Sequence, residues 1–217
     1  MRARRHLVVF AKAPRLGTVK RRLAAGIGAV AALRFHRAST GALLRRLGND
    51  PRWRCWLAIT PDRFAFGPRF WRCAAPRLRQ GGGDLGARME RALRVLPPGP
   101  ALIVGADIPG IGGDEIARAF RVLAEKDFVL GPAPDGGYWL IGARRRRRPR
   151  ILRGVRWSTD AALADTLASL PKGMSVGYVE TLEDVDTVAE YRRWRRSFDG
   201  RRLSSPSPAC GRGRGEG

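Results

Sequence analysis

The amino-acid sequence predicts an α/β protein in which helices cover both faces of a mostly parallel sheet. Short apolar segments alternate with segments of helical periodicity from the start of the chain to about residue 191. Two of these segments, residues 7–11 and 101–105, are apolar throughout, as in strands that are buried on both faces. Such an alternation of strands and helices is typical of a parallel sheet between helical layers.

The predicted elements follow one another in a regular order. Six strands are predicted, at residues 7–11, 55–60, 101–105, 128–130, 138–141 and 176–179. Six helices are predicted between and after them, at residues 18–24, 29–47, 85–96, 114–125, 159–169 and 187–196. One face of the third helix carries apolar residues at helical spacing, namely Leu85, Met89, Ala92, Leu93 and Leu96. Ligands of such sheets bind beyond the carboxyl ends of the strands, where the loop 106–110 is expected.

The sequence predicts one domain over residues 1–199, followed by a disordered tail over residues 200–217. The tail consists mainly of Arg, Ser, Pro and Gly, which bury little apolar surface. The N-terminal segment is basic and then apolar, but it carries Lys12, and we interpret it as a buried strand rather than as a secretory signal. No apolar run approaches the roughly 20 residues that are needed to span a bilayer.

Charge and cysteine content narrow the function classes. The net charge is +23, from 42 basic and 19 acidic residues, but the arginines are spread over the chain apart from a run at residues 144–148. No nucleic-acid-binding module is visible, so we expect anionic ligands but no specific nucleic-acid partner. The three scattered cysteines predict reduced thiols in the cytoplasm rather than disulfides or a zinc site. A metal would therefore have oxygen ligands, which favours Mg²⁺ or Mn²⁺.

The loop after the first strand is the first candidate for a functional site. Residues 11–23 follow this strand, with Pro14 and Gly17 shaping a tight turn and Thr18 as the predicted helix cap. The basic side chains that could bind phosphate beside the amides at the helix start are Lys12, Lys20 and Arg22. The alternative is a basic loop with a solvated helix, since neither P-loop spacing nor a Gly-x-Gly-x-x-Gly motif is present.

Carboxylates follow two of the predicted strands. Asp107 comes directly after the third strand, and a Pro-Gly turn beyond it would leave the side chain near the rim of the sheet. There it could hold a metal that bridges nucleotide phosphates, or it could cap the turn that follows. After the last strand, Asp184 and Asp186 alternate, so one of them could be a second metal ligand. Helix capping by Asp186 or Thr187 is the alternative there.

A Pro-Asp-Gly-Gly-Tyr segment lies between the fourth and fifth predicted strands, at residues 134–138. It could be a plain hairpin turn. Gly136 and Gly137 would also let a ligand approach the backbone closely, and Asp135 and Tyr138 offer polar and stacking contacts. The residues alone favour neither interpretation.

Taken in order, these segments resemble a bacterial family related to the phospholactate guanylyltransferases and to the nucleotide-diphospho-sugar transferases of the GT-A fold. The motifs that carry the resemblance are Ala-Lys-x-Pro-x-x-Gly-x-Val-Lys-x-Arg-Leu at 11–23, Gln-x-Gly-x-Asp-Leu-Gly-x-Arg-Met at 80–89, Gly-x-Asp-x-Pro at 105–109, Gly-Pro-Ala-x-Asp-Gly-Gly-Tyr at 131–138, Trp-Ser-Thr at 157–159 and Asp-Val-Asp-Thr at 184–187. The chain departs from the family pattern at Arg21 and Trp139, where the family has Thr and Tyr.

The resemblance implies a Rossmann-like, three-layer α/β/α sandwich that binds a nucleoside phosphate with Mg²⁺ or Mn²⁺. It implies that Asp107 is a metal ligand and a catalytic residue, that Asp186 is a second ligand, and that Asp135 is catalytic. The residues that it implies for nucleotide binding are Lys12, Gly17, Lys20, Arg22, Gln80, Arg88 and, towards an acceptor, Gly136, Gly137 and Tyr138.

The reaction expected from the resemblance is transfer from a nucleotide-activated donor to an acceptor that the sequence does not identify. A nucleotide-sugar glycosyltransferase is the first expectation, and a nucleotidyltransferase acting on a small phosphorylated acceptor is the alternative. The net charge keeps open a third class, a non-catalytic protein that binds nucleotides or nucleic acid.

Overall fold

The structure, a computed structural model, describes residues 4–67, 70–144 and 151–203, which contain seven strands, six α-helices and one 3-10 helix at Asp62–Phe64. The strands are β1 His6–Lys12, β2 Arg54–Thr60, β3 Arg77–Arg79, β4 Ala101–Gly105, β5 Phe128–Pro132, β6 Tyr138–Ala143 and β7 Val176–Tyr178. The helices are α1 Arg21–Ile27, α2 Ala29–Gly48, α3 Leu85–Val95, α4 Gly113–Glu125, α5 Ala162–Ser169 and α6 Val188–Leu203.

All seven strands form one sheet in the order β3-β2-β1-β4-β6-β5-β7. The antiparallel strand β6 lies between β4 and β5, and every other pair is parallel. The parallel strands β1, β2 and β4 therefore end at the same edge of the sheet, where a ligand site is expected. This arrangement confirms the predicted α/β fold with a mostly parallel sheet.

Helices cover both faces of the sheet, which makes three layers. On one face, α2 and α4 bury apolar side chains that include Leu44, Leu47 and Phe120. On the other face, α3 contributes Met89 and Leu93. Complete burial of one such side chain stabilises the fold by about 1.5–3 kcal/mol, so both helical layers are anchored by the sheet.

A third, smaller cluster joins α1, the start of α2 and α6. Leu23, Phe35 and Val185 are buried in it. The ring of Phe35 meets those of Tyr191 and Trp194 edge-on, with centroids 5.1 and 5.2 Å apart. This packing fixes the segment before α6 beside the loop that follows β1.

Two predictions about local structure differ from the structure. Helix α1 begins at Arg21 rather than at Thr18, so the prediction that Thr18 caps it was wrong. The Thr18 hydroxyl instead donates to the carbonyl of Arg15 within the loop, 3.0 Å away. Strand β3 was not predicted, because a three-residue strand flanked by arginines carries no apolar alternation.

Several predicted features lie partly or wholly outside the described residues. Helix α6 continues to Leu203, so the first four residues of the predicted tail are helical, and residues 204–217 are not described. Residues 145–148 of the arginine run are not described either. Cys55 and Cys73 are free thiols. Within the described ranges, none of the helices has the length and apolar character that crossing a membrane requires.

Candidate functional site

A cavity of about 330 Å³ opens where β1, β2 and β4 end. Charged or polar side chains from six segments of the chain line it: Lys12, Lys20, Arg21, Arg22, His36, Gln80, Arg88, Asp107 and Asp186. Five of these are basic lysines and arginines, against two carboxylates. The cavity therefore suits an anion that carries several negative charges.

Lys20 lies at the centre of the charged groups. Its Nζ is 2.9 Å from Oδ1 of Asp107 and 2.6 Å from Oδ1 of Asp186, and its side chain is only 3% exposed. Arg22 donates to the other oxygen of Asp186 at 2.8 Å. Carboxylates from two distant segments thus form ion pairs with the same lysine. The side chain of Asp107 forms one of these ion pairs.

Backbone hydrogen bonds bring the last acidic segment to the end of β4. The amide of Val185 donates to the carbonyl of Asp107 at 3.2 Å. The alternative role of Asp186 as a helix cap is not observed, because Thr187 and Glu190 form the cap of α6. Glu190 Oε2 accepts from the Asp186 and Thr187 amides at 2.6 Å, and the Thr187 hydroxyl accepts from the Glu190 amide at 3.4 Å. The Asp186 side chain is thereby left for the cavity.

Nearby charges keep Lys20 and Asp186 ionised. Burial alone would lower the pKa of Lys20, but the charges of Asp107 and Asp186 outweigh it and raise this pKa. Burial would likewise raise the pKa of Asp186, yet Lys20 and Arg22 hold it below its ordinary value. Burial and then the charge of Asp186 raise the pKa of the neighbouring Asp184 to about 6.

His36 on α2 belongs to the site, although the sequence reasoning missed it. Its Nε2 lies 3.0 Å from the carbonyl of Lys12, which is an acceptor only, so this nitrogen carries the proton. Its Nδ1 is buried without a hydrogen-bond partner, 3.9 Å from Oδ1 of Asp107. Burial lowers the pKa of this ring and favours the neutral form. The sequence offered one signal for this residue, since His36 is a polar residue among the buried positions of α2.

Two residues predicted to bind nucleotide also hold the backbone of the site together. Gln80 is 3% exposed, and its amide nitrogen donates to the carbonyls of Ala58 and Ala11 at 3.0 and 3.4 Å. Arg88 donates from Nε to the carbonyl of Gly83 at 2.9 Å. Both side chains line the cavity while they fix the ends of strands and the glycine-rich loop.

The predicted residues of the β5–β6 hairpin do not line this cavity in the described structure. Asp135 is exposed and accepts from the amide of Gly137 at 3.0 Å, as in an Asx turn. Gly136 has a φ of +80°, and a Cβ there would lie 2.1 Å from the carbonyl oxygen of Asp160. This double glycine therefore has a packing role in the hairpin.

Two aromatic residues of the hairpin point into the protein. Tyr138 accepts a hydrogen bond from Thr166 at 3.2 Å and meets Trp157 edge-on, and burial raises its pKa. Trp139 is 2% exposed, and its Nε1 donates to the carbonyl of Glu180 at 2.9 Å. The departure from the family pattern at Trp139 thus lies in the core, away from any ligand surface. Gly17, with a φ of +73°, shapes the loop after β1.

Two carboxylates, those of Asp107 and Asp186, are the acidic side chains that pair with Lys20. Oxygens of Asp107 and Asp186 already lie within 3 Å of one positively charged atom. The described residues contain no group of three or more acidic, His or Cys side chains that could hold a metal ion by themselves. Mg²⁺ is commonly bound by one or two carboxylates, with phosphate oxygens and water completing its octahedron.

Comparisons with known proteins agree with the fold. A family model described as an uncharacterized protein conserved in bacteria, DUF2064, matches residues 43–159, more than half of the chain. No curated protein matches the sequence. A crystal structure from Desulfovibrio desulfuricans G20, provisionally named a nucleotide-diphospho-sugar transferase, is 27% identical with a TM-score of 0.79, and the match covers 89% of this chain and 87% of that one.

More distant structures share the fold alone. A 4-diphosphocytidyl-2C-methyl-D-erythritol synthase from Anaerococcus prevotii DSM 20548 is 10% identical, with a TM-score of 0.61 and coverage of 90% of this chain and 96% of that one. An inositol-1-phosphate CTP transferase from T. maritima is 11% identical, with a TM-score of 0.54 and coverage of 95% and 99%. The chain thus has a fold that nucleotide-using transferases share.

Proposed function

We propose that this chain, which belongs to the DUF2064 family, is a metal-dependent transferase that uses a nucleotide-activated donor and binds the phosphates of that donor. The observation that carries the proposal is the convergence of Asp107, Asp186 and Lys20 in one basic cavity at the carboxyl edge of the sheet. This placement follows the general rule for ligands of open α/β sheets. The fold shared with nucleotide-using transferases supports the same conclusion.

The basic side chains of the cavity would bind the phosphates. Lys12 is exposed at the end of β1, and the Arg22 side chain is 72% exposed beside Asp186. Lys12 can turn towards a ligand without loss of buried structure, and Arg22 adds its positive charge to the cavity while it holds Asp186. Arg88 would approach from the opposite wall, where its guanidinium is anchored to Gly83. Their positive charges favour a transition state in which negative charge develops on a leaving phosphate.

The carboxylates would hold the divalent cation. Asp107 has a half-exposed side chain at the end of β4, and Asp186 is fixed by the hydrogen-bonded segment before α6. When bound, Mg²⁺ or Mn²⁺ would neutralise charge on the phosphate oxygens and orient the reacting phosphate. Asp135 stays a predicted catalytic residue. Its negative charge is one of the causes that raise the pKa of Asp184.

The first candidate reaction is glycosyl transfer from a nucleotide sugar, which the name and 27% identity of the Desulfovibrio protein favour. An acceptor oxygen would bond to the anomeric carbon, and the bond from that carbon to the diphosphate would break. The second candidate is nucleotidyl transfer, which the excess of basic side chains favours because a triphosphate carries more charge. An acceptor oxygen would then attack the α-phosphorus and release pyrophosphate.

Product analysis tests the proposal and separates the two reactions. The protein would be incubated with Mg²⁺, a panel of nucleoside triphosphates and nucleotide sugars, and small phosphorylated or hydroxylated acceptors, and followed by ³¹P NMR. Release of nucleoside diphosphate indicates glycosyl transfer, and release of pyrophosphate indicates nucleotidyl transfer. If no donor is consumed or bound, while DNA or RNA binds with steep salt dependence, the chain is a nucleic-acid-binding protein and the proposal is wrong.

A further inference from the structure

Lys20 occupies the position between the two carboxylates that the proposed cation would need. Its Nζ is within 3 Å of an oxygen of Asp107 and of an oxygen of Asp186, so the lysine offsets the negative charge of both carboxylates. A surface ion pair would be weak and interchangeable, but this side chain is only 3% exposed. The Asp186 side chain is only 28% exposed, and burying a carboxylate without a positively charged partner is costly, so Lys20 has a definite electrostatic role there.

The backbone of Lys20 supports the same conclusion. The residue lies at φ 48° and ψ 47°, in the left-handed region that a lysine rarely adopts, directly before α1. Such a conformation persists only where the surroundings favour it. The two ion pairs of its side chain, and the hydrogen bond that its carbonyl accepts from the amide of Ala24 at 2.8 Å, hold Lys20 in this conformation. Loss of the ion pairs would therefore free the side chain, while the backbone hydrogen bond to Ala24 keeps the start of α1 in place.

We infer that Lys20 is an internal counter-ion that exchanges with the divalent cation: metal binding displaces its ammonium group from Asp107 and Asp186 towards the donor phosphates. This inference rests on the proposed function. It predicts that metal and Lys20 compete for the same oxygens, so the metal binds weakly on its own. A phosphate ligand that attracts Lys20 then favours the metal, and the two ligands bind cooperatively.

The neighbouring groups fit such an exchange. Arg22 holds the second oxygen of Asp186, so this carboxylate keeps its position when Lys20 leaves. The unpartnered Nδ1 of His36 lies 3.9 Å from Asp107 Oδ1. This neutral nitrogen cannot replace the positive charge of Lys20, whereas a divalent cation would replace it.

The test is to measure Mn²⁺ binding without nucleotide, by electron paramagnetic resonance of free Mn²⁺, in wild type, Lys20→Met and Lys172→Met. Lys172 is an exposed lysine in the loop after α5 and serves as the matched control. We expect the Kd for Mn²⁺ to fall at least about tenfold in Lys20→Met, because a competing charge is removed, and to stay unchanged in Lys172→Met. An unchanged or higher Kd in Lys20→Met would overturn the inference.

Calorimetry with inorganic pyrophosphate and Mg²⁺ shows whether a negative result refutes only the exchange of Lys20 or also the proposed function. If wild type does not bind magnesium pyrophosphate, the proposed phosphate site is wrong, and the inference is wrong with it. If wild type binds it and Lys20→Met leaves Mn²⁺ affinity unchanged, only the exchange is wrong. We expect pyrophosphate to bind more weakly to Lys20→Met, since the lysine no longer reaches the phosphates.

A second measurement uses wild type alone, because Lys20→Met leaves two carboxylates facing each other and could unfold the chain. Lysine acetylation followed by mass spectrometry reports on each of the four lysines of the sequence. We expect Lys20 to react slowly in the metal-free protein and faster when Mg²⁺ saturates it, while Lys126 and Lys172 keep constant rates. A Lys20 rate that bound Mg²⁺ does not change would contradict the exchange.

Discussion

Replacement of Gly136 by alanine distinguishes a packing role of the double glycine from a ligand-binding role. The new Cβ would lie 2.1 Å from the carbonyl oxygen of Asp160, well inside van der Waals contact, and the residue has a φ of +80°. Gly173 has the same φ of +80°, but a Cβ there meets nothing within 4 Å. Gly173→Ala therefore measures the conformational cost alone.

The two substitutions should differ by the cost of the steric clash. The left-handed conformation costs an alanine roughly 1–2 kcal/mol, and the smaller entropy of its unfolded chain returns about 0.4–1 kcal/mol, which leaves about 1 kcal/mol for Gly173→Ala. Forced displacement of the packed hairpin adds about 1–3 kcal/mol, so we expect Gly136→Ala to lose about 2–4 kcal/mol. Urea unfolding without nucleotide, followed by tryptophan fluorescence, measures both. Equal losses in the two variants would refute the close approach of Asp160 to the hairpin.

Two further predictions concern the cap of α6 and an ion pair on the surface. Thr187→Ala should lower the free energy of unfolding by about 1 kcal/mol, because the amide of Glu190 loses its partner; a urea titration that shows no loss would contradict the cap. Hydrogen bonds from Arg156 lower the pKa of Asp165 to about 2, so this carboxylate should stabilise the fold above its unfolded pKa near 4 and cease to do so as the pH falls towards 2. Carboxyl ¹³C NMR should find this pKa raised towards its ordinary value in Arg156→Gln, and a titration identical to wild type would show that the pair does not form.

Elements with a strong local signal could be predicted from the sequence. Residues 7–11 of β1 and the whole of β4 are apolar, as is typical of strands that helices cover on both faces of the sheet, and this pattern is visible in the sequence. The reversed direction of β6 could not be predicted, since it depends on the pairing of β6 with both β4 and β5. A Pro-Asp-Gly-Gly turn is compatible with a hairpin but does not determine which strand the hairpin joins.

The site could be predicted by its residue types but not by its connections. Asp107 follows a buried strand and Lys20 lies in a basic loop, so the sequence indicated both as site residues. The contact of Lys20 with Asp186 joins two residues that are 166 positions apart, which no local pattern reveals. His36 was missed for the same reason, because its partners lie on β1 and after β4.

The most direct test of the proposed site is the thermal stability of wild type, Asp107→Asn and Asp114→Asn with a nucleotide panel, with and without Mg²⁺. Asp114 is on α4 with a 90% exposed side chain and controls for the loss of one carboxylate. A ligand at one hundred times its Kd adds about 2.7 kcal/mol, which raises Tm by about 5–10 °C in a chain of this size. We predict this shift in wild type and Asp114→Asn for at least one nucleotide, only with Mg²⁺, and its loss in Asp107→Asn. An Asp107→Asn variant that keeps the full Mg²⁺-dependent shift would contradict the account.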